Sequence, residues 1–112
     1  MSLIELVKIV ETNGKGVRAY VECVRAARGY LETQSHYSAA FFLLHAAAEQ
    51  FIDRYDDQPL LSERAEDEFQ RFRAWAEQLA TAHDSADQVF VLKTLNAVAA
   101  DIASHQLRDP EI

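Results

Sequence analysis

The sequence predicts an all-α protein: a four-helix up-down bundle with a short additional N-terminal helix. Glycine and proline, which interrupt helices, are scarce, with three and two copies in 112 residues. Apolar residues recur at spacings of three and four along most of the chain, which is the helical period. The predicted helices two to five have similar lengths and short connections, which favours antiparallel neighbours. Residues 1–112 are therefore expected to form a single helical-bundle domain.

The first predicted helix covers residues 2–12, with Leu3, Val7 and Val10 on one face. A strand is the alternative, because valine and isoleucine are β-branched, but no other segment is suited to pair with it. Residues 13–16, Asn-Gly-Lys-Gly, should end this element, since Asn and Gly tolerate a positive φ. The second helix is predicted over 17–33, and its core stripe comprises Val17, Tyr20, Val21, Val24, Ala27 and Leu31.

The third helix is predicted over 36–55, after a break at Gln34-Ser35 where Ser35 can cap it. Pro59 disfavours its continuation. Its core stripe comprises Tyr37, Phe41, Leu44, Ala48, Phe51, Ile52 and Tyr55.

The fourth helix is predicted over 62–82 and the fifth over 85–106, with Ser62 and Asp84 as their N-caps. Acidic side chains crowd the first two turns of the fourth helix, where they suit the positive end of the helix dipole. This helix is cleanly amphipathic, and its inward face comprises Ala65, Phe69, Phe72, Trp75, Ala76 and Leu79.

The third and fifth helices carry more apolar surface than one core face requires. Between residues 39 and 48 only His45 is polar, and a helix that is apolar nearly all round is usually buried on several sides. In the fifth helix two large residues fall outside the predicted core stripe of Leu92, Leu95, Val98, Ala99 and Ile102. The surplus residues, and hence the candidate interface, are Phe42, Leu43, Val89 and Phe90.

This surplus predicts a homo-oligomer, most simply a dimer, in which a second copy covers the candidate interface. A different protein partner is also possible. The alternative is a monomer in which the first helix covers the whole surplus.

The composition of the chain argues against several classes of partner and of cellular location. The formal net charge of −7 disfavours nucleic acids and anionic membranes as partners. No run approaches the roughly 18 apolar residues that a membrane span needs, and Glu5 and Lys8 interrupt the first apolar run, so no secretion signal is expected. Cys23 is the only cysteine and cannot form an internal disulfide. We therefore expect a cytoplasmic protein.

One polar group on the third helix has a spacing that chemistry can use. His45, Glu49 and Asp53 follow one another at intervals of four residues, so they could present a metal site or a base with an orienting acid. An intrahelical hydrogen bond at the edge of the core is the simpler interpretation. His36, His83 and His105 fall at predicted helix ends, and His83 and His105 are expected to be structural, so no metal or cofactor is predicted.

Residues 37–50 resemble the central helix of HEPN-type bundles. That resemblance implies a nucleic-acid-processing protein, but HEPN members that cut RNA carry Arg-x(4–6)-His, and no arginine here precedes a histidine at that spacing. The chain also lacks the phosphate-binding loop, nucleophile-elbow and zinc-protease motifs. The main expectation is a non-catalytic helical bundle that self-associates and acts as a protein-interaction module. A bundle that binds a ligand or metal through His45 and Glu49 is the alternative.

Overall fold

A computed structural model describes residues 3–33 and 35–107 of the chain, and this part is helical with no strand. The residues of the first segment form a helix, as predicted, and not a strand. The elements are α1 (Ile4–Thr12), α2 (Val17–Thr33), a short 3₁₀ turn (Ser35–Tyr37), α3 (Ser38–Tyr55), α4 (Ser62–Asp84) and α5 (Gln88–Leu107).

The turn between α1 and α2 follows the predicted chemistry. The side-chain amide of Asn13 donates to the Ile9 carbonyl at 2.8 Å. Gly14 and Lys15 have φ values of 97° and 66°, in the left-handed region. The Lys15 N–H then reaches the Val10 carbonyl at 3.0 Å, which satisfies a carbonyl at the end of α1.

The predicted caps of α4 and α5 were wrong. Ser62 is the first helical residue of α4, and Leu61 occupies its cap position without a side-chain bond. Asp84 is the last residue of α4. Asp87 caps α5 instead, since its Oδ1 accepts the N–H groups of Val89 and Phe90 at 3.0 and 3.2 Å. The fifth helix therefore starts three residues later than predicted.

The helices pack in pairs around a shared core. α2 lies mainly on α3, α1 on α2 and α4, and α5 on α4 and α3. Tyr20 of α2 stands near the centre, stacked on Phe51 with ring centroids 3.9 Å apart and edge-on to Phe72 at 5.4 Å. These aromatic contacts join α2, α3 and α4.

Side-chain contacts fix the relative directions of three helices. Tyr55, at the end of α3, bonds to Glu68 in the first part of α4, whereas the Tyr37 ring beside the start of α3 contacts His83 at the end of α4. α3 and α4 therefore run in opposite directions. Arg54 near the end of α3 donates to the carbonyl of His105 near the end of α5, so these two helices run in the same direction.

Two residues that the sequence assigns to core stripes are exposed. Val21 is 36 % exposed and Leu92 is 60 % exposed. On α5 the most buried line runs through Thr94, Val98 and Ile102, at four-residue intervals. Leu92 lies about 120° around the helix from Val98, which places it at the edge of the outward half.

Candidate functional site

Large apolar side chains remain exposed on α3 and α5. The exposed fractions are 57 % for Phe42, 65 % for Val89, 42 % for Phe90 and 60 % for Leu92. Leu43 is partly buried and packs against the core. Because α1 packs mainly on α2 and α4, it does not provide the cover that the monomer alternative requires.

Phe42 and Leu92 lie at about the same level along their two helices. The Arg54 Nη2 atom donates to the His105 carbonyl at 3.0 Å, so these two residues lie at about the same level, within the length of an arginine side chain. They are 51 positions apart in the sequence, and the two helices run in the same direction. Phe42 is therefore near the level of position 93, and its ring stacks on that of His45 with centroids 6.4 Å apart.

The two edges of the outward half of α5 face different neighbours. Phe90 and Thr94 line a shallow cleft against Ala74 and Thr81 of α4. Leu92 is on the opposite edge, which must then be the α3 side. We use the name α3–α5 surface for the region formed by Phe42, Leu43, Val89 and Leu92, and Phe90 lies apart from it, in the cleft against α4.

The α3–α5 surface is comparable in area to the largest apolar patch of a typical monomeric protein. At the exposed fractions given above, its three most exposed side chains, Phe42, Val89 and Leu92, contribute roughly 300 Å². Patches of this size on monomeric proteins commonly mark sites of interaction.

The group predicted on the third helix is only partly assembled. His45 Nδ1 and Glu49 Oε1 are 3.5 Å apart, and Arg28 of α2 donates from Nε to His45 Nε2 at 3.2 Å. Arg28 also pairs with Glu49 at 3.4 Å, whereas Asp53 is exposed one turn further along. No group of three His, Cys, Asp or Glu suited to a metal occurs within the described ranges. Because the Arg28 guanidinium repels cations, the arrangement favours a bridge between α2 and α3 over a metal site.

A second polar cluster, which the sequence reasoning missed, joins α3, α4 and α5. Glu68 Oε1 lies 2.9 Å from His105 Nε2, and the Tyr55 hydroxyl donates to Glu68 Oε2 at 2.8 Å. Arg54 Nη1 lies 4.0 Å from the same carboxylate. The side chains of Glu68, Arg54 and His105 are only 10 %, 15 % and 17 % exposed, so the cluster is largely enclosed.

The sequence held a signal for this cluster. Glu68 precedes Phe72, Trp75 and Leu79 by four, seven and eleven residues, so it lies on the core face of α4. An acidic residue within an apolar stripe needs a buried partner. Glu68 also lies in the first two turns of α4, where an acidic side chain suits the positive end of the helix dipole, and this simpler explanation hid the signal.

Burial dominates the electrostatics of this cluster. Burial lowers the pKa of His105 below its ordinary value, although the hydrogen bond to the Glu68 carboxylate opposes this shift. Burial likewise raises the pKa of Tyr55 and of Tyr20. His105 Nε2 lies 2.9 Å from Glu68 Oε1 and 3.3 Å from Arg54 Nη1, and the carboxylate favours a proton on that nitrogen.

A small cavity of about 20 Å³ adjoins the cluster, and its lining includes Tyr20, Trp75 and His105. The Tyr20 hydroxyl and His105 Nδ1 are buried there without a hydrogen-bond partner. The space suits a single water molecule and no larger ligand. The cluster is therefore better suited to holding α3, α4 and α5 together through hydrogen bonds than to binding a substrate.

Comparisons of the chain with protein-family models, with curated proteins and with solved structures found no match. Of the helices in the described part of the chain, none combines the length and apolar character needed to cross a bilayer.

Proposed function

We propose that this protein is a non-catalytic helical interaction module that self-associates as a dimer through the α3–α5 surface. The observation that carries the proposal is the exposure of Phe42, Val89 and Leu92 by 57–65 % on two adjacent helices. In this proposal residues 1–112 form one up-down bundle of α2 to α5, with α1 added on α2 and α4.

Energetic considerations support a second copy as the occupant of the surface. Covering roughly 300 Å² on each of two subunits contributes about 15 kcal/mol gross at about 25 cal/mol per Å². Association costs about 4–15 kcal/mol, so the gross gain from these large side chains is of the size needed to offset that cost. A typical interface buries about 800 Å² per partner, and exposed small residues beside the large ones, such as Ala39, Ala97 and Ala100, extend the area toward that size.

The enclosed polar cluster supports the non-catalytic part of the proposal. A general acid or base must reach the proton that it transfers, within hydrogen-bond distance or through one water. His105 and Glu68 are instead held against one another beneath Tyr55 and Trp75, next to a cavity that suits one water. Cys23 is fully buried, and burial raises the pKa of its thiol to about 12, so it is a poor nucleophile.

The test compares two leucine-to-lysine substitutions at exposed positions. Leu92→Lys places a charge in the α3–α5 surface, whereas Leu61→Lys changes a residue that is 73 % exposed in the connection between α3 and α4. In sedimentation velocity and light scattering, we expect wild type and Leu61→Lys to have twice the 12.7 kDa chain mass. Leu92→Lys should have the mass of one chain, because burying an unpaired ammonium group opposes association.

A wild-type protein with the mass of one chain at the highest attainable concentration would refute the proposal. Equal masses for the two lysine variants would show that association, if present, uses another surface. Far-ultraviolet circular dichroism of each variant checks that the helices are retained.

A further inference from the structure

The outward half of α5 has an asymmetric distribution of side-chain sizes. Val89 and Leu92, near its N-terminal end, are large and exposed. Ala100 and Ala103, nearer the C-terminal end, are small and also exposed. Asn96 stands between the two pairs and is exposed as well. These five residues form a stripe without a charged side chain.

The stripe is symmetric in spacing about Asn96. Leu92 and Ala100 lie four residues before and after it, and Val89 and Ala103 lie seven residues before and after it. Residues at these intervals share one helix face, so all five can contact a single partner helix. Positions 89, 96 and 103 recur at the seven-residue spacing of a heptad, so they follow one line along the helix.

We infer that α5 pairs antiparallel with α5 of a second copy, about a two-fold axis that passes beside Asn96. This inference rests on the proposed function and specifies its geometry. In a two-fold interface each contact occurs twice, with the roles of the residues exchanged. The large end of one stripe, Val89 and Leu92, then packs on the small end, Ala100 and Ala103 of the partner subunit.

The antiparallel pairing accounts for the sizes better than a parallel pairing does. A parallel pair would place Val89 and Leu92 against their own copies and alanines against alanines, so the helices would splay at one end and leave space at the other. Antiparallel pairing keeps the distance between the helices even, as close packing requires. It also aligns the helix dipoles favourably.

Phe42 extends the large end of the stripe. It is near the level of position 93 of α5, on the side of α3. The two-fold axis lies at the level of Asn96, so the Phe42 ring faces the partner subunit at the level of position 99. Small residues of the partner's α3 and α5 lie near this level. Ala46 of α3 and Ala103 of α5 supply this space. Phe42 thus becomes a buried aromatic anchor of the interface.

Disulfide trapping distinguishes the two directions of pairing. Val89→Cys and Ala103→Cys proteins are mixed under reducing conditions, allowed to exchange subunits and then oxidised. Antiparallel pairing brings these two positions together, so the mixture should form a crosslink between the two variants. Ala103→Cys oxidised alone should not crosslink, because its two copies lie about 20 Å apart along the helix axis, beyond the reach of a disulfide.

Two further cysteine variants serve as controls. Asn96→Cys lies beside the axis and should crosslink to its own copy. Leu61→Cys, exposed outside the α3–α5 surface, measures random collisions and should remain uncrosslinked. The native Cys23 is fully buried and does not need to be removed.

Each result bears on one level of the inference. A wild-type monomer overturns both the proposed function and the pairing. A wild-type dimer in which Ala103→Cys crosslinks alone overturns the antiparallel direction and leaves the proposed function standing. A wild-type dimer with no crosslink above the Leu61→Cys background overturns the use of this stripe.

A size exchange provides an independent measurement. Ala103→Val alone should weaken the dimer at least about tenfold in Kd, because the small end becomes too large for its partner. The double variant Val89→Ala with Ala103→Val should regain most of the loss, because it reverses the two ends. Absence of recovery in a wild-type dimer would contradict the proposed contact between positions 89 and 103.

Discussion

Helices α1 and α5 both flank the α2–α3–α4 core, yet they use their apolar residues differently. α1 has only nine residues, and Leu6, Val7 and Val10 are at most 5 % exposed. α5 has twenty residues, but Val89 and Leu92 on its outward half are 65 % and 60 % exposed. The short helix buries its large apolar side chains within the subunit, whereas the long helix leaves several uncovered.

Charge placement explains why α5 differs. Between positions 88 and 105 its only charged residues are Lys93 and Asp101. α4, by contrast, presents Arg73 and Glu77 to solvent as an ion pair at 3.0 Å. α4 and α5 pack on the same core, but the outer face of α4 is suited to water and that of α5 is suited to contact with another protein.

The largest expected change in the free energy of unfolding distinguishes a buried leucine of α1 from an exposed leucine of α5. Leu6→Ala should lower the free energy of unfolding by about 3 kcal/mol, because it leaves a cavity at a fully buried position. Leu92→Ala should change the unfolding of the isolated subunit by less than about 0.5 kcal/mol. Urea denaturation at low protein concentration measures both. Equal losses would mean that Leu92 is covered within its own subunit, which would remove the contrast.

A smaller effect tests how the C-terminal end of α5 is held. Glu68→Ala removes the carboxylate shared by Tyr55 and His105, and should lower the free energy of unfolding by about 2 kcal/mol. The matched change, Glu77→Ala, breaks an ion pair whose side chains are 49 % and 53 % exposed, and should lower it by about 0.3–0.5 kcal/mol. Thermal or urea unfolding compares the two. Similar losses would show that the buried cluster contributes little beyond a surface pair.

The smallest effect concerns pH. Burial lowers the pKa of His105 in the folded protein, whereas the unfolded chain takes up its proton near the ordinary value of 6.5. The unfolded state therefore binds more protons as the pH falls below this value, and the free energy of unfolding decreases toward acid pH. His105→Gln should make this decrease shallower between pH 7.5 and 5.5, by less than the about 1.4 kcal/mol per pH unit of one full proton.

His83 should contribute to the same pH dependence, because burial lowers its pKa as well. His83→Gln should also reduce the slope, and the double variant should reduce it further. The charged groups that act on His105 are Glu68, Arg54 and Arg71, and all three are retained in these variants. Identical slopes in wild type and both single variants would contradict the assignment to these imidazoles.

The helices were predictable from sequence because their signals are local. Apolar spacing, the Asn-Gly turn and Pro59 set the bounds of α1 to α4 within about two residues. The start of α5 was missed because two aspartates compete as its cap, Asp84 and Asp87. The chosen cap depends on where α4 ends, and the Ser85 hydroxyl bonds to the Ala82 carbonyl at 2.6 Å as α4 closes.

The polar cluster was less accessible to sequence reasoning because its members come from three helices. Glu68 lies 37 positions from His105, and Arg54 lies 51 positions from it. Each has an ordinary local explanation as a helix-end charge, and only the packing of the helices brings them together. By contrast, Phe42, Val89 and Phe90 were selected because they fall outside their helix stripes, and they are indeed exposed. Their role as an interface stays a prediction.

The position of Cys23 gives the protein a natural reporter of its own internal motion. The thiol has no exposed surface, and its pKa is raised to about 12, so a thiol reagent can react only after α2 separates from its neighbours. The rate of labelling in the unmodified chain therefore measures how often this part of the core opens. Association through the distant α5 stripe would slow that labelling whenever opening requires the two subunits to come apart.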